Sequence, residues 1–318
     1  MVAVIPSFGG GILFNTFFGG FLVHAITVIP WLCGGAITVA PLYLITKGHI
    51  IAATALFGLA SVQYVRPVSP WPEFAALLKR MNPRAFYKRC TLGGNLKAIR
   101  EEKSLLAYHP HGMLTIGFSW NGCHAGELTG KRIVWLVVDI LCNAPLFGYV
   151  VGWMGNIQGA SARNMKKLMA AGSNIALLPG GFEEATIQSY GVESVYIKHR
   201  KGFIKYALQY GYRVHPCYTF GECDSFITFT PFKKLRLWLN TFKLPAVLFL
   251  GSFYCPLFPR SSSSIHTVIG DPIELPQMEC PTPRDVDLWH ARYMSALEAL
   301  FEKHKTEVGK GHMQLQVW

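Results

Sequence analysis

The chain is 318 residues long, 51% hydrophobic and only 15% charged, yet it carries 30 Lys and Arg against 18 Asp and Glu. That length suits one large domain or two small ones, and an apolar composition with a basic excess points to an anionic membrane surface or an anionic substrate. Nucleic acid is set aside as a partner, because the sequence holds no basic helix and no aromatic-basic RNA motif.

Residues 1–46 contain no formally charged side chain. A secretory signal would need a basic region ahead of its apolar core, so this zone reads as membrane-embedded and uncleaved. Residues 21–45, FLVHAITVIPWLCGGAITVAPLYLI, are long enough to span. Residues 50–65, IIAATALFGLASVQYV, stand at the short edge of the roughly 17–25 residues a spanning helix needs. Lys47, Gly48 and His49 are expected to turn between them, and Pro30, Pro41 and the Gly34–Gly35 pair predict kinks in the first helix. Residues 1–65 are therefore expected to form a transmembrane helical hairpin. Arg66, Lys79, Arg80, Arg84, Lys88 and Arg89 follow, with Glu73 alone against them. This marks residues 66–91 as a basic juxtamembrane link and places residues 92–318 on the cytosolic side. Trp71 and Phe74 suit an interfacial position.

From residue 92 onward the pattern is α/β. Apolar β-type runs (SLLAYHP, RIVWLVV, NIALLPG, RVHPCYTF, IHTVIGDP) alternate with helical patterns (ARNMKKLMAAG, HRKGFIKYALQYG). In the second of these, Phe203, Ile204, Ala207 and Leu208 share a helical face and Gly211 is the stop signal. Such alternation predicts a mostly parallel sheet flanked by helices. Residues 244–259 are too broken by Pro and Gly for a simple span and are read as an acyl-tunnel wall or an interfacial loop. The final helix is announced by Thr282 as N-cap, Pro283 at the first helical position and Asp285 completing the capping pattern. Trp289, Tyr293, Leu297, Leu300 and Phe301 form its packing stripe. The eight cysteines include no Cys-x-x-Cys pair, so they read as buried or free thiols of a reducing compartment. The absence of an Asn-x-Ser/Thr site agrees with a cytosolic face.

The chemistry concentrates in YHPHG, residues 108–112. Strand carboxyl ends form the crevice of an α/β sheet. His109 and His111 stand at such an end, with Pro110 restricting the backbone and Gly112 allowing a turn or a close approach. One imidazole can face a cleft while the other braces it, and histidine is the side chain best matched to accept a proton near neutral pH. The carboxylate such a base needs is found in PGGFEEA, residues 179–185, where Gly180 and Gly181 lead Glu183 and Glu184 into a helix. Main-chain N–H groups near Gly112, Gly180 and Gly181 are candidate oxyanion donors. Arg163, Lys166 and Lys167 on one predicted helix, and Arg200 and Lys201 before another, are candidate partners for phosphate. No nucleophile elbow, P-loop, dinucleotide fingerprint or His-Glu-x-x-His competes, and no metal ligand set is expected.

YHPHG, PGGFEEA, RKGFIKYALQYG, YTFGE, VIGDPI and the segment 281–305 occur in the order seen in the type-2 diacylglycerol acyltransferase family, which also holds monoacylglycerol and wax-alcohol acyltransferases. The resemblance covers most of the chain. It implies an endoplasmic-reticulum membrane enzyme, facing the cytosol, that moves a fatty acyl group from acyl-CoA to diacylglycerol or a related lipid alcohol. Acyl-CoA is then a substrate and no cofactor is needed; membrane lipid is a partner, and homo-oligomerisation and lipid-droplet residence are left open. It carries His109, Pro110, His111 and Gly112 over as the catalytic block, and Gly180, Gly181 and Glu184 as the second. Arg200, Lys201, Gly202, Phe203 and Lys205 match a third. Phe182 and Glu183 stand where the family commonly has small residues, His24 where a membrane-segment motif tends to be apolar, and Ala107 where a glycine is frequent. Acyltransferases that use glycerol phosphate pair their histidine with an Asp a few residues on; Leu114 and Ile116 hold those positions here. A lipid-binding scaffold without turnover is the reading of another class.

Overall fold

The computed structural model describes residues 17–65, 68–242 and 246–318. The start of the uncharged zone, Arg66, and the first two residues of the 244–259 segment lie outside the described residues. Helix α1 (Phe17–Thr46) continues through both Pro30 and Pro41. It is 30 residues long with a mean hydropathy of 1.8 in its most apolar window, long and apolar enough to cross a membrane. A turn at Lys47–Gly48 leads to α2 (Ile50–Val65), a 16-residue apolar helix that packs along α1. The outward side chains of both are apolar, Leu42, Tyr43, Ile51 and Phe57 among them.

The first turns of α1 face protein instead. Gly20 approaches the Phe86 main chain too closely for any larger residue, and Val23 and His24 are buried. His24 Nδ1 donates to the Gly20 carbonyl at 2.7 Å. Its Nε2 accepts from Trp120 Nε1 at 3.0 Å and meets the Tyr87 hydroxyl at 2.7 Å. A polar ring sits in this apolar helix because every one of its hydrogen bonds is met by protein. This local knot docks α1 onto the α/β body.

Helix α3 (Pro72–Arg80) lies within the segment read as a link, and β1 (Arg89–Gly94) begins there. The remaining strands are β2 (Ser104–His109), β3 (Val134–Val137), β4 (Ile157–Gly159), β5 (Ile175–Leu177), β6 (Ser194–Val195), β7 (Arg213–Phe220), β8 (Ile227–Thr228), β9 (Phe249–Leu250), β10 (Ser264–Ile269), β11 (Ile273–Glu274) and β12 (Gln316–Val317). The main sheet runs β1-β10-β7-β2-β5-β3-β4, with β11 on β7. Pairing is parallel except where β10 and β11 meet β7. The expected mostly parallel sheet is therefore present, with β1 and β4 added at its edges. Both were missed because one is short and the other is rich in small and polar residues.

The connecting helices are α4 (Phe147–Met154), α5 (Ala162–Ala170), α6 (Gly181–Ile187), α7 (Gly202–Tyr210), α8 (Lys233–Thr241) and α9 (Pro283–His304). Gly211 ends α7 in the left-handed region, φ +64. Thr282 and Asp285 form the reciprocal capping box of α9. Helices α5, α7 and α9 pack on one face of the sheet around Met169, Phe203, Ile204, Tyr293 and Phe301. The other face is filled by Tyr108, Phe118 and Trp135. Residues 251–257 are irregular and outward-facing, with Phe253 92% and Tyr254 93% exposed, while Phe258 stacks on Phe21 of α1.

Candidate active site

Parallel strands in register deliver their C-terminal ends to the same edge, and this places the site. Ala107 of β2 pairs with Leu177 of β5. The two polar turns that follow, residues 109–112 and 179–184, therefore emerge side by side. Gly180 is required there because the Glu184 carboxyl folds back over it, so that any Cβ at 180 would run into that carboxyl. Gly112 and Gly181 both adopt positive φ, +63 and +58.

Glu184 is the hub. It is buried, and its two oxygens face His109 Nδ1 at 3.2 and 3.1 Å. Oε1 also accepts the His111 main-chain N–H at 2.7 Å, and Oε2 accepts the Tyr196 N–H at 2.7 Å. Tyr196 is itself held by the neighbouring β6, which pairs with β12 near the end of the chain. A buried carboxylate without such donors would be costly; here two histidines and a distant strand supply them.

The two histidines are placed differently. His109 is fully buried, and with Nδ1–H on Glu184 its Nε2 is free to accept the Tyr293 hydroxyl at 3.1 Å. Both of its nitrogens are thereby used. His111 is half-buried, and its Nδ1 lies 2.8 Å from the Gly112 carbonyl. A carbonyl only accepts, so Nδ1 carries the proton and Nε2 keeps its lone pair. Desolvation holds the His111 pKa below the ordinary imidazole value, opposed by the Gly112 bond and the charges of Glu184 and Glu183. A ring in this state is neutral at pH 7 and able to accept a proton.

The expected arrangement was a histidine ring oriented directly by Glu184. That contact is made by His109; the ring of His111 is oriented by its own neighbour's carbonyl, because Glu184 reaches His111 only at the main chain. Among the expected oxyanion donors, the Gly181 N–H is spent on the Leu178 carbonyl at 3.3 Å, which leaves Gly112 and Gly180.

Of the basic candidates, Arg200 is brought to the site through an ion pair with Glu183, the residue before the hub. Lys201 Nζ meets Asp287 of α9 at 2.6 Å. Arg163, Lys166 and Lys167 are exposed on α5, which leaves β4 three strands from β2, roughly 14 Å across the sheet. A cavity of about 330 Å³ opens at the end of β4, lined by Asn143, Gln158 and Asn164 among others and by none of these three cations. Neither His109, His111 nor Glu184 lines it, so the site is located by its hydrogen-bonded groups.

Two participants escaped the sequence reading. Tyr293 sits in the packing stripe of α9, and its hydroxyl is invisible in an apolar periodicity. Replacing Tyr293 with Phe keeps the packing and deletes the contact with His109 together with a longer one, 3.4 Å, to the Ala107 carbonyl. That change is expected to lower kcat about 5–10-fold, the worth of a ~1 kcal/mol hydrogen bond, with the melting temperature nearly unchanged. Glu222 closes the YTFGE block and lies buried against Gly112; nothing local distinguishes it from a solvated carboxylate.

Comparison with known proteins identifies the family of the chain. Residues 91–317 match the family "Diacylglycerol acyltransferase". The human diacylglycerol O-acyltransferase 2-like protein 6 is 33% identical over 236 residues, 64% of this chain and 67% of that protein. Human acyl-CoA wax alcohol acyltransferase 1 is 29% identical over 230 residues, 67% of this chain and 70% of its own length. Among solved structures, a 1-acyl-sn-glycerophosphate acyltransferase from Thermotoga maritima superposes over 92% of this chain and 95% of its own, at 10% identity and a TM-score of 0.44. With more than two thirds of its length in the family match and the human 2-like protein 6 at 33% identity, the chain belongs to the diacylglycerol acyltransferase family.

Proposed function

We propose that the protein acylates diacylglycerol with acyl-CoA to give triacylglycerol, with His111 as general base. Family membership makes it an acyl-CoA acyltransferase; the acceptor and the residue roles are our reading. The single observation that carries it is the 2.8 Å contact of His111 Nδ1 with the Gly112 carbonyl, which puts the proton on Nδ1 and leaves Nε2 a lone pair. An alcohol is a weak nucleophile until its proton is taken. Nε2 accepts that proton as the hydroxyl oxygen attacks the thioester carbon, and main-chain N–H groups of Gly112 and Gly180 stabilise the oxyanion that forms. The tetrahedral species then expels CoA as its thiolate, the C–S bond breaking as the carbonyl re-forms. The imidazolium returns its proton to the thiolate or to solvent. No acyl-enzyme and no cofactor is required.

His109 and Glu184 hold this turn in place instead of reacting. The apolar α1 and α2 give water-insoluble acceptor and product a route from the bilayer as a transmembrane hairpin. The basic residues after α2 hold the catalytic body, residues 92–318, on the cytosolic face of the endoplasmic reticulum. Arg200, paired with Glu183, is the candidate partner for a CoA phosphate at this edge, and Lys201, Arg163, Lys166 and Lys167 are further candidates.

Purified protein in lipid nanodiscs, given radiolabelled acyl-CoA and a panel of diacylglycerol, monoacylglycerol and a long-chain alcohol, decides the acceptor. Triacylglycerol is expected to dominate. Wax ester or diacylglycerol as the main product would replace this reading with that of the wax-alcohol or monoacylglycerol relatives. Membrane binding without any product would leave a lipid-binding scaffold.

A further inference from the structure

Parallel pairing of β2 with β7 sets Tyr218 beside His109. The residues after Phe220 therefore arrive where His111 and Gly112 emerge. Gly221 makes the turn at φ +83, and a Cβ there would run into the Ser264 carbonyl. Glu222 follows, fully buried. Its Oε1 accepts the Ile116 N–H at 2.8 Å and its Oε2 the Gly117 N–H at 2.9 Å. The same carboxyl lies against Gly112 so closely that a Cβ at 112 would enter it. Its main-chain carbonyl accepts Gln188 Nε2 at 3.2 Å and the Ser225 hydroxyl at 2.6 Å. Gln188 ends α6, the helix that carries Glu184.

We infer that Glu222 is a positioning residue for the acyl transfer: its carboxyl sets the Gly112 turn whose carbonyl fixes the tautomer of His111, and its main chain ties that turn to the helix of Glu184. This rests on the acyl-transfer reading above. The physical reason is that the segment 112–117 has no ladder to hold it. Two of its N–H groups are buried, and each needs an acceptor from outside. Glu222 supplies both at once and wedges Gly112 from one side, so the direction of the Gly112 carbonyl follows the carboxyl. Burial pushes this carboxyl up to about 8, and the protonated acid still presents an oxygen lone pair to each N–H. A carboxamide does not, since its NH₂ must face one of the two donors.

The test uses the full chain in nanodiscs as wild type, Glu222→Gln, Glu222→Ala and His111→Ala. It measures the saturating acyl-transfer rate together with the stoichiometry and affinity for a non-hydrolysable acyl-CoA thioether. Stoichiometry normalises the rate to folded molecules. Glu222→Gln is expected to bind the thioether with unchanged stoichiometry and within about twofold of wild-type affinity, while kcat falls about 10–100-fold. A normalised kcat within about twofold of wild type in Glu222→Gln, with His111→Ala inactive, would overturn this inference and leave the acyl-transfer reading intact. Full activity in His111→Ala would overturn that reading and this inference with it. If Glu222→Ala does not fold, Glu222→Gln decides alone; loss of thioether binding in both would also overturn the inference, because the residue would then be holding the fold and not the turn.

Discussion

Glu184→Gln is expected to lower kcat by about 10²–10⁴-fold and to destabilise the fold as well. The carboxylate serves three donors: His109 Nδ1, the His111 N–H and the Tyr196 N–H. A carboxamide offers one oxygen, so in either orientation its NH₂ faces the main-chain N–H of His111 or of Tyr196, and that bond is lost. Each buried hydrogen bond to a charged group is worth about 1.5–3 kcal/mol, so a loss of that size in unfolding free energy should accompany the kinetic loss. Initial rates in nanodiscs and a thermal melt of the same sample check both. A fall in kcat of less than about tenfold would show that the hub is dispensable to the chemistry.

His111→Ala comes second. It removes the base while leaving Glu184, His109 and Tyr293 in place. The expected loss is about 10²–10⁴ in kcat, the usual worth of general-base help. Because the ring is only half-buried, the melting temperature should hardly move. The wild-type pH profile gives an independent check. Desolvation places the His111 pKa below 6.5, so the ring is neutral at pH 7 and the rate falls only as pH drops through that lowered value. An acid limb centred above 6.5 would contradict the assignment.

Stability moves in the same direction for a separate reason. Burial lowers His124 and His215 from 6.5 to about 4. Between those values the unfolded chain binds protons at these two histidines that the folded chain does not, so their contribution is present above 6.5 and is lost as pH falls toward 4, opposed in part by Glu222, whose raised pKa of about 8 makes the folded chain bind one proton more. Short assays, completed before any unfolding, separate the kinetic limb from this one.

How legible the site was follows from where each signal resides. His109, His111, Gly180 and Glu184 were readable because reactive groups after an apolar run, with glycine beside them, mark strand ends of an α/β sheet. The capping box of α9 was readable because both partners lie within one turn of each other. Tyr293 and Glu222 were not readable as site residues. One lies 184 positions from His109 in the chain, and the other 106 from Ile116. Each was spoken for locally, the tyrosine as packing and the glutamate as a polar residue after a strand. The division of labour between the histidines was equally hidden, since two imidazoles separated by one proline are chemically alike until burial separates them. His24 looked out of place in an apolar helix for the same reason: its partners Tyr87 and Trp120 are supplied by other parts of the chain.

The amino-acid sequence alone determined the class of the protein. Its uncharged N-terminus, its strand–helix alternation and its ordered motifs are local patterns, and local patterns follow from side-chain chemistry and backbone period. The tertiary structure decided which imidazole is braced and which keeps a free lone pair, and which carboxyl serves as hub and which as wedge. Those choices depend on the register of β2 with β5 and β7, which brings separate turns to one sheet edge and buries His109, Glu184 and Glu222 while leaving His111 half-buried.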